Sequence, residues 1–171
     1  FIENHQYMSV DVVKKYYNTR EYELTGLKYE LEGAEIALYQ NNGDGTYTYL
    51  TTGVTDKNGQ VSFGKLKFSA DGFVAIEVSI PDREEYKYMV PVEGDYLQKI
   101  DGSCPQTLTQ AEVDTLSKAA LTSATDPKYT GEIDNEIPWT QIHVTKYDKG
   151  RQIKLDGADF TLYKQVLPAG T

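Results

Sequence analysis

The residues able to do enzymatic chemistry are few in this chain, and they do not fall into a working set. Cys104 is the only cysteine, and the two histidines, His5 and His143, lie far from it in sequence. A thiol acts as a nucleophile only where a neighbouring base or cation ionises it. Cys104, beside Pro105, therefore reads as a lone loop thiol, and one cysteine allows no intrachain disulfide. Asp56-Lys57-Asn58-Gly59 has a hint of a calcium loop, yet the glycine is misplaced and no bidentate Glu follows at the required spacing. It reads as a hairpin turn. With no metal-ligand cluster, cofactor motif or phosphate loop, the expectation is no metal, no cofactor and no turnover. Two charged residues on apolar stripes are more informative. Lys14 shares a strand face with Val10 and Val12, and Glu77 shares one with Phe73 and Ala75. A charge at the end of such a stripe points inward unless the strand stops first, and a buried charge is costly unless paired.

The elements that must position those side chains are strands. Period-two alternation dominates the chain. After the first strand, Ala34 to Gln40 forms a second, closed by the turn-rich Asn41-Asn42-Gly43-Asp44-Gly45. Strands from Thr46 and from Gln60 flank the Asn58-Gly59 turn, a strong hairpin signal. Phe73 to Ile80 and Tyr86 to Val92 read as further strands separated by Pro81. Many short strands with close turns predict a sandwich or barrel. One helix is expected over residues 109–120, because Thr109-Gln110-Ala111-Glu112 has the capping-box form. It reads as a helical insertion covering one end of the sandwich.

Composition narrows the class. The chain has 171 residues, 39% hydrophobic and 25% charged, which is enough to bury a core. The net charge of −9 comes with no basic stripe, so no nucleic-acid partner is expected. No apolar run is long enough to span a membrane, and no signal peptide opens the chain. The sequence begins inside a strand-like stretch, as a fragment of a longer protein would.

An internal repeat organises the whole. Residues 2–14 (IENHQYMSVDVVK) match 133–146 (IDNEIPWTQIHVTK), pairing Asn4 with Asn135 and Lys14 with Lys146. The match resumes in the same order, LEGAEIALY at 31–39 against LDGADFTLY at 155–163. Residues 1–8 are then the end of a preceding unit with its linker. Residues 9–137 are one complete unit, and residues 138–171 open an incomplete third. Trp139 is expected to stiffen the joint between units.

The order of these motifs resembles the CnaB-like (collagen-adhesin B-type, SpaA-like pilin) Ig-like repeat domains of Gram-positive surface proteins. The residues that carry the likeness are Lys14, LEGAEIALY, TDKNGQVSFGKL at 55–66, FVAIEVSIP at 73–81 and EIDNEIP at 132–138. The Gly-Tyr usual after the proline is replaced by Asp82-Arg83-Glu84-Glu85-Tyr86, and residues 93–130 hold an insertion. The resemblance implies an all-β, Greek-key, transthyretin-like sandwich in tandem repeats. It further implies an autocatalytic isopeptide bond between Lys14 and Asn135, assisted by Glu77, with Asn4 and Lys146 as half-sites of the flanking repeats. Burial would lower the Lys14 pKa and raise that of Glu77, leaving a neutral nucleophile beside a neutral acid that polarises the Asn135 carbonyl. Lys15 is the rival donor.

The function implied is a stalk or shaft module of an extracellular, cell-wall-anchored adhesin or pilin, partnered by neighbouring repeats of its own chain. The alternative is an adhesive module recognising a host glycan or matrix protein. Lys128, placed in a loop, is a weak candidate for a pilin-type lysine. Leu167-Pro168-Ala169-Gly170-Thr171 only superficially resembles a sortase signal, since it reads Gly-Thr where the signal needs Thr-Gly.

Overall fold

The computed structural model describes residues 7–119, 121–125, 128–139, 143–150 and 152–163. The chain forms two units, Phe1–Trp139 and Thr140–Thr171. The first unit is an all-β sandwich. Its elements run β1 Tyr7–Asn18, α1 Thr19–Thr25, β2 Tyr29–Glu30, β3 Glu35–Asn41, β4 Thr46–Val54, β5 Gln60–Lys67 and β6 Phe73–Ser79. They continue as β7 Val90–Pro91, β8 Thr107–Thr109, α2 Gln110–Thr115, β9 Lys118–Ala119, β10 Thr122–Thr125 and β11 Lys128–Ile137. One sheet is centred on β1, which pairs with β11, β5 and β2, while β7 and β10 pair with β11. The other sheet has the order β8-β4-β3-β6-β9.

The first and last long strands lie side by side and parallel, from Ser9 opposite Lys128 to Asn18 opposite Ile137. Alternation on β1 buries Met8, Val10, Val12 and Lys14 in one inward row. That row meets Ile36 and Leu38 of β3 and Phe73 and Ala75 of β6, which with Val61, Phe63 and Ile133 make the core between the sheets. Strands β3 and β6 are buried on both faces, so alternation of polarity fades there. Their outer row, Ala37, Tyr39, Val74, Ile76 and Val78, packs under Leu97, Cys104, Leu108 and Val113 of the insertion. The insertion therefore covers the face of the second sheet, not one end of the sandwich.

Two local readings of the sequence are corrected, and one helix is added. The predicted helix over 109–120 is the shorter α2. Its capping box forms as expected, with the Thr109 side chain on the Glu112 N–H and the Glu112 side chain on the Thr109 N–H. The chain leaves the helix at Leu116, where Asp95 N bonds Thr115 O and Ser117 N bonds Asp95 O. The two arms of the insertion hold each other, and that overrides helix propensity. Predicted strand Tyr86–Val92 instead starts at the end of a 3-10 turn, Glu84–Tyr86, continues through a turn, and is extended as a strand only in the two-residue β7. Tyr86 and Met89, three apart, bury together against Leu31 and Ala34, which an extended chain would not allow. Helix α1 was not anticipated. Asn18 caps it by accepting from the Arg20 and Glu21 N–H groups, and Gly26 ends it in the left-handed conformation.

The second unit repeats a detail of the first. Leu31 N donates to Lys14 O at 3.0 Å, and Leu155 N donates to Lys146 O at 2.9 Å. Gly33 and Gly157, two residues on in each copy, both take positive φ. The longer stretch between Lys14 and Leu31 is where α1 sits.

The Asn58-Gly59 hairpin turn lies directly against Lys14. Asp56 Oδ1 accepts from the Asn58 and Gln60 N–H groups, each at 2.9 Å, so this carboxylate serves the turn. Gly59 has φ +68°, and its carbonyl accepts from Lys14 N at 2.7 Å. A Cβ there would stand 2.4 Å from Lys14 O. Gly59→Ala is expected to lower stability by at least about 1–2 kcal/mol from the left-handed backbone alone, measured as a shift in denaturant midpoint; an unchanged midpoint would show that the turn relaxes freely.

Candidate functional site

The inward row of β1 ends at Lys14, that of β6 ends at Glu77, and that of β11 runs from Ile133 to Asn135. All three polar residues are completely shielded from solvent, at 0% exposure each. In the parallel ladder Lys14 faces Ile133 and Tyr16 faces Asn135, so Lys14 and Asn135 are diagonal neighbours on the core side. Glu77 arrives from the opposite sheet. Sandwich stacking thus brings together residues 14, 77 and 135.

The contacts are close, and Glu77 Oε1 is shared between the amine and the carboxamide. Lys14 Nζ donates to Asn135 Oδ1 at 2.7 Å and to the Ile133 and Lys15 carbonyls at 3.3 and 3.4 Å. Lys14 Nζ lies 3.3 Å from Glu77 Oε1. Asn135 Nδ2 donates to the same Oε1 at 2.8 Å and to the Tyr96 hydroxyl at 3.1 Å. The Ser117 hydroxyl donates to Glu77 Oε2 at 2.8 Å. The expectation that Glu77 polarises the Asn135 carbonyl is corrected here: Oδ1 faces the lysine, and the acid faces the amide nitrogen.

Electrostatics follow from the dryness of the site. Burial pulls the Lys14 pKa down to about 8, opposed by Glu77 and, farther off, by Asp134 and Glu132. Burial pushes the Glu77 carboxyl above its ordinary value, opposed by Lys14 and by the bonds from Ser117 and Asn135. Tyr96 is raised by burial and by the adjacent Glu77. A lysine and a glutamate drawn toward each other in this way can share one proton, and the neutral form of the pair holds a free amine beside a carboxylic acid.

The other sequence candidates lie elsewhere. Lys15 points to the opposite face, partly exposed, and pairs with Glu132 at 3.2 Å. Lys146 is exposed in the second unit. Asn4 lies outside the described residues, as does the segment 167–171. Lys128 opens β11 in place of a loop and pairs with Asp11. Cys104 is buried beneath the second sheet, its sulfur 3.8 Å from Thr52 Oγ1. Trp139 is held by α1, its main-chain N–H on Thr19 Oγ1 at 2.9 Å and the Arg20 guanidinium 5.2 Å from its ring centre. Among the described residues no group of histidine, cysteine and acidic side chains could hold a metal ion, and no helix is long and apolar enough to cross a membrane.

Sequence reading missed Tyr96 and Ser117. Tyr96 sits in an irregular segment with no periodicity to orient it, and Ser117 fell inside the over-extended helix.

No protein-family model matches the chain, and no curated protein matches it. Comparison with solved structures finds distant likenesses. The major plantain pollen allergen Pla l 1 is 12% identical with a TM-score of 0.45, over 77% of this chain and 94% of its own. The shaft pilin SpaA from Lactobacillus rhamnosus GG is 14% identical with a TM-score of 0.43, over 87% of this chain. The matched region spans 58% of the length of that pilin. A 9R-lipoxygenase from Cyanothece is 13% identical with a TM-score of 0.33, over 78% of this chain and 16% of its own.

Removing the acid strands the lysine. Glu77→Ala leaves a buried Lys14 without its counter-charge, at a cost of about 3–5 kcal/mol. Adding Lys14→Met to that variant is expected to recover that penalty in urea unfolding, since the double variant holds no unpaired charge in the core. No recovery would mean that Lys14 reaches water when Glu77 is absent.

Proposed function

We propose that this chain is a structural, load-bearing module of a surface stalk or shaft, tied by a self-formed isopeptide bond between Lys14 and Asn135. The observation that carries the reading is the fully buried contact of amine, carboxamide and carboxylic acid. Three such groups placed in a core by chance would cost stability without return.

The chemistry balances within the site. Neutral Lys14 Nζ attacks Asn135 Cγ, forming the new C–N bond. The Cγ–Nδ2 bond breaks, Nδ2 takes the Glu77 Oε1 proton, and it leaves as ammonia. The amine gives one proton back to Glu77, which ends as it began. The packed core supplies the proximity that makes an otherwise sluggish aminolysis intramolecular.

The mechanical consequence rests on the parallel ladder. Tension on the chain enters β1 at Tyr7 and leaves β11 at Ile137, at opposite ends of adjacent strands. A bond between Lys14 and Asn135, 121 residues apart, would carry that load past everything between them. Closing such a loop would also stabilise the fold by about 5 kcal/mol through the unfolded state. Lys146, in the second unit, occupies the position corresponding to Lys14.

Intact-mass spectrometry is the direct test. The purified chain is expected to be lighter than its sequence by one ammonia, and Lys14→Ala or Glu77→Ala to restore the full mass. A full-mass wild type would remove the bond.

The rate of ammonia loss in freshly made chain should be bell-shaped in pH. Below the raised Glu77 value the pair holds two protons and the amine is charged. Above about 8, where Lys14 loses its proton, the pair holds none and the leaving nitrogen has no acid. Between these limits one proton is shared, and the rate should be flat. A rate that climbs steadily through pH 10 would show that Glu77 is not the acid.

A further inference from the structure

The insertion between β7 and β9 does more than cover the second sheet. Both of its arms bond the backbone of Glu77: Glu77 N donates to Ser117 O, and Leu97 N donates to Glu77 O, each at 2.9 Å. The arms are locked together by Asp95 N on Thr115 O at 3.0 Å and Ser117 N on Asp95 O at 2.8 Å. Gly94 lets them approach, since a Cβ there would stand 2.5 Å from the Leu116 carbonyl carbon. From this clamp two hydroxyls reach the buried triad, Ser117 to Glu77 Oε2 at 2.8 Å and Tyr96 to Asn135 Nδ2 at 3.1 Å.

We propose that the insertion is an orienting device for the cross-linking reaction, in which Ser117 fixes the acid proton of Glu77 on Oε1 and Tyr96 holds Asn135 Nδ2 as the leaving group. The assignment rests on the isopeptide reading above and deepens it. A carboxylic acid has one proton and two oxygens. In the resting geometry both oxygens accept, Oε2 from Ser117 and Oε1 from Asn135 Nδ2. Once attack makes Nδ2 basic its bond to Oε1 must turn round, and the Ser117 bond keeps Oε2 occupied, which leaves Oε1 to carry the proton 2.8 Å from the nitrogen that must depart. An amide can rotate end for end. Tyr96 and Glu77 both accept from Nδ2, so the NH2 end stays on their side and the carbonyl end stays on Lys14. Attack on the reversed amide would leave the departing nitrogen without its acid. Ser117 is a positioning residue acting through Glu77, whereas Tyr96 touches the leaving nitrogen itself.

The test follows newly synthesised full-length chain by intact mass over time and over pH, comparing wild type with Ser117→Ala, Ser117→Thr and Tyr96→Phe. Each lost hydrogen bond to a reacting group is expected to slow ammonia loss about tenfold or more. Ser117→Ala should also move the low-pH limb upward, because Ser117 holds the Glu77 carboxyl down. The other groups that act on the pair, Tyr96 from the insertion and, from the outer face of β11, Glu132 and Asp134, are unchanged in that variant. Ser117→Thr should restore both rate and limb, and Tyr96→Phe should be slow with its limbs unmoved. Wild-type rates in Ser117→Ala and Tyr96→Phe would overturn the assignment while leaving the bond standing. So would a slow Ser117→Ala whose limb stays put and which threonine fails to rescue. If Ser117→Ala does not fold by circular dichroism, the Tyr96→Phe rate decides alone, and a wild-type value overturns the role of the insertion. An undiminished wild-type mass overturns the bond itself, and this assignment with it.

Discussion

A lysine amine with no access to water is the constraint around which this sandwich is built. Its protons must find acceptors inside the protein, and the available ones are Asn135 Oδ1, the Glu77 carboxylate and two main-chain carbonyls. They come from three places: Asn135 and the Ile133 carbonyl on the neighbouring parallel strand, Glu77 on the facing sheet, and the Lys15 carbonyl on β1 itself. The first sheet cannot shift its β1–β11 register by one residue without turning Lys14 or Asn135 out to solvent. The second sheet cannot slide without taking Glu77 away. One polar contact therefore pins both the pairing within a sheet and the stacking between sheets.

That constraint explains why the second sheet is buried twice over. Desolvation keeps a carboxyl group above its ordinary pKa most strongly where water is excluded from its back as well as its front. The core closes the front of Glu77. The insertion closes the back, with Leu97 and Val113 over the outer row of β3 and β6 and main-chain bonds to Glu77 itself. Covering and orienting are accomplished by the same segment, so what looks like a lid on the sheet is also part of the electrostatics of the site.

Much of this was legible in the residues, for identifiable reasons. Lys14 could be placed because β1 keeps strict alternation through Val10 and Val12, with one face buried and the other wet. Parity likewise separated Lys14 from Lys15, which lies on the opposite face in an ion pair with Glu132. The capping box located the start of α2, since its signal is local. Its end was not legible, because it is set by Asp95, some twenty residues earlier. Tyr86–Met89 failed in the same way: spacing alone does not say whether two apolar residues three apart belong to a strand or a turn until Leu31 and Ala34 are known to lie beneath them. Tyr96 had no local pattern at all. Its role exists only through Asn135, distant in sequence.

The energetics give a reason for a triad that would otherwise be a poor use of core space. A buried ion pair is rarely worth more than well-packed apolar side chains of the same volume, because desolvation consumes most of the attraction. Methionine and leucine at positions 14 and 77 would fill the space with no such cost. A pair kept only for stability is therefore hard to rationalise. Under the proposed reaction the cost is temporary. The lysine charge disappears into an amide, the acid is left neutral, and Ser117 still satisfies its second oxygen. The unfavourable burial is then the driving condition for the chemistry, since the same desolvation that disfavours the ions frees the amine and protonates the acid. On that proposal, the cost of burial in the newly folded chain would be exchanged for a covalent tie along the line where tension would pass.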